Sequence, residues 1–211
     1  MSYGIYKTEK LYLMKKFKQT WWDDNIKSQF EDFKSWVGTK DAYSKKWARR
    51  HVISSGFKSI VDVGCGNATE YFAYKEEAPE IEYLGVDGSE YLYEYNLKAG
   101  VPIRCAQADD TRLPVSSYDI AFSRHVLEHQ PDFKPVLDEL IRIGRKEAMH
   151  IFFIRPKDKE IINYDPKQNL YHNTYIKQEI EQYGNSIPKV SNCYWVELSE
   201  TEEAFICELN E

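Results

Sequence analysis

From residue 59 to residue 154, short apolar runs alternate with stretches in which hydrophobic residues recur at helical spacing. The apolar runs are rich in β-branched residues and predict strands that are covered on both faces. The predicted strands are 59–64, 81–87, 102–107, 118–123 and 148–154, and the predicted helices between them are 68–77, 89–99 and 132–144. This order predicts a parallel, doubly wound sheet with right-handed crossovers.

The C-terminal part of the chain follows a different pattern. Residues 155–171 are mainly charged and polar with two prolines and predict a loop, and 172–183 predict a helix that ends at Gly184. Two apolar runs, 192–198 and 204–209, predict a closing antiparallel hairpin. The predicted fold class is α/β, with a doubly wound, mostly parallel seven-stranded sheet, helices on both faces and a C-terminal antiparallel hairpin.

The segment before the first strand predicts helices. Hydrophobic residues at steps of three and four predict one helix over 21–37, and Asp41 is a candidate N-cap for a second helix over 42–54. We expect the whole chain to form one domain, with 1–57 as a helical lid or cap and 58–211 as the core.

Composition indicates a soluble protein. The 211 residues are 42% hydrophobic, and no apolar run approaches the roughly 18 residues of a membrane span. The first twenty residues are lysine-rich and lack the apolar core of a secretory signal, so we expect a cytoplasmic protein without membrane contacts. Cys65, Cys105, Cys193 and Cys207 form no C-x-x-C pair, and we expect four reduced, packed thiols.

Charge is unevenly distributed. Residues 1–58 hold 13 basic and 6 acidic side chains, a net +7, and residues 59–211 hold 15 and 28, a net −13. The basic segment either docks on the acidic body or forms a rim that attracts a phosphate-bearing acceptor. The net charge of −6 disfavours broad nucleic-acid binding without excluding a local patch.

The central motif is I-V-D-V-G-C-G-N-A-T-E at 60–70. A buried strand runs into a tight glycine turn at 64–66, where a ligand can approach the backbone closely, and Asn67 is a candidate cap of the next helix. Asp87 ends the second strand about 20 residues later, the spacing at which a carboxylate reaches ribose hydroxyls. Such a site suits a dinucleotide or S-adenosylmethionine (SAM), but Thr69 stands where the dinucleotide fingerprint needs glycine or alanine.

The motif V-D-V-G-C-G resembles motif I of the class I SAM-dependent methyltransferases, of the type that acts on small molecules or glycans. The resemblance covers roughly residues 45–155. It continues in order through Y-L-G-V-D-G-S (83–89), A-D-D-T-R-L-P (108–114), Y-D-I-A-F-S (118–123) and V-L-E-H (126–129). In that family the segment before strand one often forms a lid, which implies that the N-terminal tryptophans cover the site; simple packing on the sheet edge is the alternative.

The resemblance assigns a set of positions to the cofactor SAM. They are Asp62, Gly64, Cys65, Gly66, Asp87, Gly88, Ser89, Asp109, Asp110, Ser123 and Arg124. It implies that Asp62 supports the amino group, Asp87 accepts hydrogen bonds from both ribose hydroxyls, and Asp109 accepts from adenine beside the backbone N–H of Asp110. Asp87 and Asp109 also fit the simpler role of a helix cap or turn residue.

His125 follows the fourth strand, where donor and acceptor meet in the resembled family. A neutral imidazole there can take a proton from an attacking hydroxyl, or it can serve only as a hydrogen-bonding group; His172 is a second candidate base. His125, Glu128 and His129 also spell H-x-x-E-H, a zinc-protease pattern. Because this segment follows a sheet strand and Pro131 cuts the helix short, we expect no metal.

In the resembled family the stretch after strand five lines the acceptor pocket. The candidate acceptor-binding residues are Trp22, Arg155, Tyr164, Tyr171, Asn173 and Tyr175. Tyrosines and amides suit a polyhydroxylated acceptor such as a sugar, although a surface loop explains the same composition equally well.

The resemblance therefore implies a SAM-dependent methyltransferase, and we expect O-methylation of a small molecule or glycan, by a monomer or homodimer, with S-adenosylhomocysteine (SAH) as product. One alternative is a nucleic-acid or protein methyltransferase that uses the basic N-terminal segment. The tetrapeptide of the D/N-P-P-Y type, found in many base methyltransferases, is replaced here by S-R-H-V at 123–126, which disfavours nucleobases. The other alternative is a non-catalytic module that binds SAM or a dinucleotide.

Overall fold

The computed structural model describes residue 30 and residues 40–210. The described helices are α1 (Tyr43–Ser54), α2 (Thr69–Glu77), α3 (Glu90–Lys98), α4 (Lys134–Ile143) and α5 (Lys177–Ser186), with a short 3₁₀ helix at Leu127–His129. The described strands are β1 (Ser59–Val63), β2 (Glu82–Asp87), β3 (Ile103–Cys105), β4 (Tyr118–Arg124), β5 (Gly144–Phe152), β6 (Tyr164–Asp165), β7 (Leu170–Tyr171), β8 (Val190–Glu197) and β9 (Glu203–Leu209).

Seven strands form one sheet in the order β3-β2-β1-β4-β5-β9-β8. The first five are parallel, and β9 pairs antiparallel with both β5 and β8. The chain thus leaves β1 toward one edge of the sheet and, after β3, returns to the other side of β1. This confirms the predicted fold class, including the C-terminal hairpin.

Alternation along the strands divides the core into two layers. Val61 and Val63 of β1 pack with α4 and α5, whereas Ile60 packs with α1 and α2 on the opposite face. Successive side chains of a strand point to opposite faces, so a strand with both faces covered is apolar throughout. Helices therefore cover both faces of the sheet, as predicted.

Two predicted caps are wrong. Helix α2 begins at Thr69 after Ala68, whose left-handed backbone (φ 50°) turns the chain without a side-chain cap from Asn67. Helix α1 has Ala42 as its uncapped N-terminal residue, and Asp41 pairs with Lys46 at 2.9 Å instead.

The chain between β5 and β8 also differs from the prediction. Residues 172–176 are extended rather than helical, because their backbone bonds to 157–163 and to the carbonyl oxygen of Glu128. Helix α5 then continues past Gly184, where a Cβ would lie 2.7 Å from Cys193 Sγ, so glycine here permits close packing rather than ending the helix. The predicted loop contains the small hairpin of β6 and β7.

The observed strand bounds differ most from the predicted ones where a strand contains polar residues. Strand β5 starts at Gly144 rather than 148, because the chain passes directly from α4 into the sheet. Strand β3 is only three residues long and leaves Cys105 exposed. The prediction that the Cys105 thiol is packed in the core is therefore wrong. Cys65, Cys193 and Cys207 are buried thiols.

Only part of the predicted lid is described. Phe30 is helical and buried, and its ring contacts Tyr91 and Tyr95 of α3 at centroid distances of 5.4 and 4.6 Å. Trp22 and most of the predicted helix over 21–37 lie outside the described residues. Within the described part of the chain, no helix is long and apolar enough to cross a membrane.

Candidate functional site

A cavity of about 560 Å³ lies at the carboxyl ends of β1, β2 and β4, where the strand order reverses. Ligands of doubly wound sheets bind at this reversal, and roughly 300–1,000 Å³ is typical of small-molecule sites. The predicted site residues that line the cavity are Asp62, Gly64, Cys65, Gly66, Asp87, Gly88, Ser89, Asp109, Arg124, His125 and His172.

The glycine turn is held against the end of β2. Gly64 N–H donates to the Val86 carbonyl at 2.7 Å, and Gly66 N–H donates to Asp87 Oδ2 at 2.9 Å. Ser89 N–H donates to Asp87 Oδ1, also at 2.9 Å. Gly64 and Gly66 have φ of 77° and 57°, a region that favours glycine. Because a carboxylate offers about four acceptor sites, Asp87 fixes the turn and can still accept hydrogen bonds from a ribose.

Asp62 is a buried carboxyl on the cavity wall. Its Oδ2 accepts a hydrogen bond from Tyr83 at 2.8 Å. Burial outweighs this hydrogen bond and raises the pKa of Asp62 to about 7. A bound ammonium group would favour the ionised form of this carboxyl, as the assignment to the amino group of SAM requires.

Lys45 of α1 lines the same cavity, although the sequence did not predict it as a site residue. Its side chain is only 5% exposed, and Nζ donates to Thr69 Oγ1 at 2.6 Å. Glu70 is 4.0 Å from Lys45 and is bound more closely by Arg49 at 2.9 Å. Burial lowers the pKa of Lys45, because the nearby carboxylate compensates only partly. An anionic group of a ligand, placed closer to Lys45 than Glu70 is, would stabilise the buried ammonium charge more than Glu70 does.

These residues fit SAM. Asp62 and Lys45 would hold the ammonium and carboxylate of its methionine part, and the two groups are complementary to a zwitterion. The carboxylates of Asp87 and Asp109 lie on the same cavity wall, where hydroxyl and amino donors of an adenosine require acceptors.

His125 forms a dyad with Glu202, which lies just before β9. His125 Nε2 is 2.9 Å from Glu202 Oε1, and the same oxygen accepts from Arg124 at 2.8 Å and from Ser44 at 2.9 Å. Burial disfavours the ionised carboxylate, yet hydrogen bonds from His125 and Ser44 and the Arg124 charge lower the pKa of Glu202 to about 2. Burial lowers the pKa of His125, so its imidazole is neutral at pH 7.

The H-x-x-E-H pattern does not form the helix face that zinc binding needs. His125 has a left-handed backbone (φ 58°) and precedes the 3₁₀ helix, so the two histidines do not lie one turn apart on a single helix. Glu128 is fully buried: its Oε1 accepts from Phe153 N–H at 2.7 Å and its Oε2 lies 3.1 Å from His150 Nε2.

Two residues assigned to the cofactor lie outside the cavity wall. Ser123 is fully buried and bonds His150 Nδ1 at 2.7 Å, because it alternates along β4 with Phe122 and Arg124, which do line the cavity. The backbone N–H of Asp110 donates to Gln107 O at 3.1 Å within a turn, so it is already used.

The acceptor residues expected after β5 also point elsewhere. In the extended segment at 170–173, Leu170 and His172 line the cavity, and the alternate residues Tyr171 and Asn173 do not. Buried Asn173 and Tyr175 bond the backbone of 127–130, exposed Tyr164 bonds Asn169, and Arg155 binds Glu197. The missed wall residues include Lys45, Phe122, Val126, His129, Gln130, Phe153, Gln168 and Leu170.

Comparison with known proteins agrees with this geometry. Residues 61–152 match the family described as a methyltransferase domain. No curated protein sequence matches the chain significantly.

Solved structures share the fold at low identity. A Burkholderia thailandensis 1,6-didemethyltoxoflavin-N1-methyltransferase, solved with its substrate and SAH, is 13% identical with a TM-score of 0.63, covering 89% of this chain and 86% of its own. A SAM-dependent methyltransferase from Thermotoga maritima is 14% identical with a TM-score of 0.63, covering 90% and 98%. A protein from Nostoc punctiforme proposed to be an O-methyltransferase is 16% identical with a TM-score of 0.59, covering 75% of this chain and 53% of its own length. Residues 61–152 thus match a methyltransferase-domain family, and the chain has the fold of SAM-dependent methyltransferases of known structure.

Proposed function

We propose that the protein transfers a methyl group from SAM to a hydroxyl of a small molecule, with His125 as the general base. The observation that carries this proposal is that His125, which lines the cavity, is paired with the carboxylate of Glu202 at 2.9 Å. A histidine oriented by a carboxylate is the arrangement that proton abstraction from a hydroxyl needs.

Asp62 and Lys45 would orient the methionine part of SAM, while Asp87 would hold the ribose. When bound, SAM supplies an electrophilic methyl group on a positively charged sulfur. The chain then contributes position and the exclusion of water, which supply most of what such a displacement requires.

The dyad sets the tautomer of the base. Ionised Glu202 accepts the hydrogen on His125 Nε2, which leaves Nδ1 with the lone pair. As the acceptor oxygen attacks, Nδ1 takes its proton and the resulting imidazolium is stabilised by Glu202.

The cavity volume supports a small acceptor rather than a polymer. A preference for sugars loses its support, because Tyr164, Tyr171, Asn173 and Tyr175 lie outside the cavity wall. We therefore propose a hydroxyl acceptor without that preference.

The test is an assay of the protein with SAM and a panel of hydroxylated small molecules, scored by SAH release and by the mass of the methylated product. We expect His125→Ala to lower kcat at least about a hundredfold while SAH binding is retained. His51→Ala is the matched control, because His51 also pairs with a carboxylate, Glu147 at 2.7 Å, but lies outside the cavity wall. SAM binding with no turnover of any hydroxyl, or an unchanged kcat in His125→Ala, would contradict the proposal.

A further inference from the structure

Four rings line one part of the cavity: His125, His129, Phe153 and His172, here called the ring wall. The Phe153 ring contacts all three histidines, with centroids 4.8 Å from His125, 5.5 Å from His129 and 6.4 Å from His172. His129 and His172 are 5.0 Å apart and nearly perpendicular. The two contacts of Phe153 with His125 and His129 are tilted and the two contacts of His172 are edge-to-face. Groups of rings packed in these ways leave flat surfaces against which another ring can pack.

Burial favours the neutral form of two members of the ring wall, His125 and His129. Burial lowers the pKa of His129 to about 4, and its Nδ1 lies 2.7 Å from the Tyr171 carbonyl, a contact that fits a neutral ring donating this hydrogen. The other cavity residues from 126–130 and 168–172 are uncharged: Val126, Gln130, Gln168 and Leu170. A charged or heavily hydrated acceptor would lose its solvation here without an opposite charge in return.

We infer that the ring wall binds a flat aromatic acceptor, and that the group methylated is a phenolic hydroxyl on it. This inference rests on the proposed function and narrows its substrate class. Ring packing against Phe153 and the histidines would place the acceptor beside the His125–Glu202 dyad.

The strength of the base favours a phenol over an alcohol. A neutral histidine with a lowered pKa is a weak base, and burial lowers the pKa of His125. A phenol such as tyrosine ionises near pH ~10, whereas water, which an aliphatic hydroxyl resembles, has a pKa of about 15.7. Proton transfer to His125 is therefore far less unfavourable from a phenol.

The reaction balances without a further reactant. The phenolic oxygen forms a bond to the methyl carbon, the carbon–sulfur bond breaks, and its electron pair remains on sulfur as neutral SAH. The phenolic proton moves to His125 Nδ1, so the positive charge of the sulfonium ends on the imidazolium and is then released to solvent.

The test compares matched ligands: substituted phenols, the same rings with the hydroxyl replaced by hydrogen, and methyl glycosides. Calorimetry measures their binding to the protein saturated with SAH, and mass spectrometry locates the methyl group after incubation with SAM. We expect phenols to bind and to become O-methylated, and the rings without hydroxyl to bind without reaction.

Phe153→Leu should weaken phenol binding to the SAH complex about tenfold, since one ring contact is lost, and leave SAH binding unchanged. The control is Phe72→Leu on α2, an exposed aromatic outside the cavity wall. Methylation of glycosides but not phenols would overturn the inference and leave the proposed function standing. Methylation at a ring nitrogen or carbon, or failure to methylate any hydroxyl, would overturn both. Equal phenol binding in Phe153→Leu and wild type would overturn the role of the ring wall alone.

Discussion

Lys45 and Asp62 place opposite charges on the wall of one cavity, although they come from α1 and β1. Both side chains are buried. Burial lowers the pKa of Lys45 and raises the pKa of Asp62, so in each case it favours the neutral form. A buried charge without a full counter-charge destabilises the protein, and a ligand of opposite charge would remove that cost. We therefore expect both Lys45 and Asp62 to bind the ligand.

Replacing Lys45 by methionine should weaken SAM and SAH binding about tenfold to a hundredfold, because a charge-assisted hydrogen bond to the ligand carboxylate is lost. Binding of 5′-methylthioadenosine, which lacks the amino-acid part, should not change. Lys46→Met is the control, since the Lys46 side chain is 44% exposed on the same helix and pairs with Asp41. Calorimetric titration measures all three ligands, and equal losses for methylthioadenosine and SAH would refute the assignment.

Glu202 affects both the orientation and the pKa of His125. Burial lowers the pKa of His125 and the Arg124 charge lowers it further, whereas Glu202 and Glu128 raise it. Glu202→Gln should therefore move the acid limb of the kcat profile to lower pH and also reduce the plateau, because the imidazole is no longer oriented by a carboxylate.

The Glu202→Gln profile is measured between about pH 5 and pH 8, where a histidine titrates. Glu200→Gln, an exposed position in the same turn, should leave both the limb and the plateau as in wild type. An acid limb that moves to higher pH would contradict the sign of the Glu202 effect.

At the scale of elements, the junction of α4 and β5 needs an outside donor. The helix ends at Ile143 and the strand starts at Gly144, so the last helical carbonyls lack partners within the helix. Lys189 Nζ donates to the carbonyls of Ile141 at 2.9 Å, Arg142 at 3.3 Å and Gly144. A positive charge is also favourable at a helix C-terminus.

Lys189→Met should lower the free energy of unfolding by about 1–2 kcal/mol, because the carbonyls lose a charged donor. Urea denaturation measures this as a lower midpoint at constant slope. The control, Lys98→Met, removes an exposed lysine paired with Glu94 on α3 and should stay within about 0.5 kcal/mol of wild type. A Lys189→Met midpoint equal to that of the control would show that Lys189 does not stabilise this junction; Ser116 N–H already donates to the Arg142 carbonyl at 2.9 Å.

At the scale of the whole molecule, helix α1 both lines the cavity, through Lys45, and is anchored to α2 by ion pairs. Arg49 of α1 is buried and binds Glu70 and Glu77 of α2 at 2.9 and 3.1 Å, next to Lys45. This part of the basic N-terminal segment docks on acidic side chains, as one of the two charge hypotheses expected. A ligand that binds Lys45 and Asp62 should therefore stabilise the folded protein as a unit.

We expect the stabilisation by SAH to depend on pH. The pKa of Asp62 is about 7 without ligand, and the ligand ammonium needs the carboxylate, so below pH 7 binding must first remove a proton. At one SAH concentration, the gain in stability should be smaller at pH 6 than at pH 7.5 by up to about 1.4 kcal/mol, or roughly 3–6 °C in Tm.

Thermal unfolding with and without SAH at the two pH values measures this difference. Methylthioadenosine has no ammonium group and should give gains that do not depend on pH in this way. Equal gains from SAH at pH 6 and pH 7.5 would show that Asp62 does not meet the ammonium.

The sequence alone determined the order of strands and helices, the glycine turn and the position of Asp87. These features depend on local periodicity, on backbone freedom at Gly64 and Gly66, and on the short distance along the chain between strand ends. The resemblance to methyltransferases could be recognised for the same reason, since its motifs lie at the ends of consecutive strands.

Only the tertiary structure decided which side chains meet in the cavity. Lys45 is one of many lysines in a basic segment and Glu202 one of three glutamates within residues 200–203, so neither carries a local signal. Successive side chains of an extended segment also point to opposite faces. Leu170 and His172 therefore line the cavity while Tyr171 between them does not, and Ser123 on β4 is turned away in the same manner. Most residues assigned to the cofactor do line the cavity, because they belong to local motifs at strand ends, whereas the other cavity residues are brought there by contacts between residues far apart in the chain.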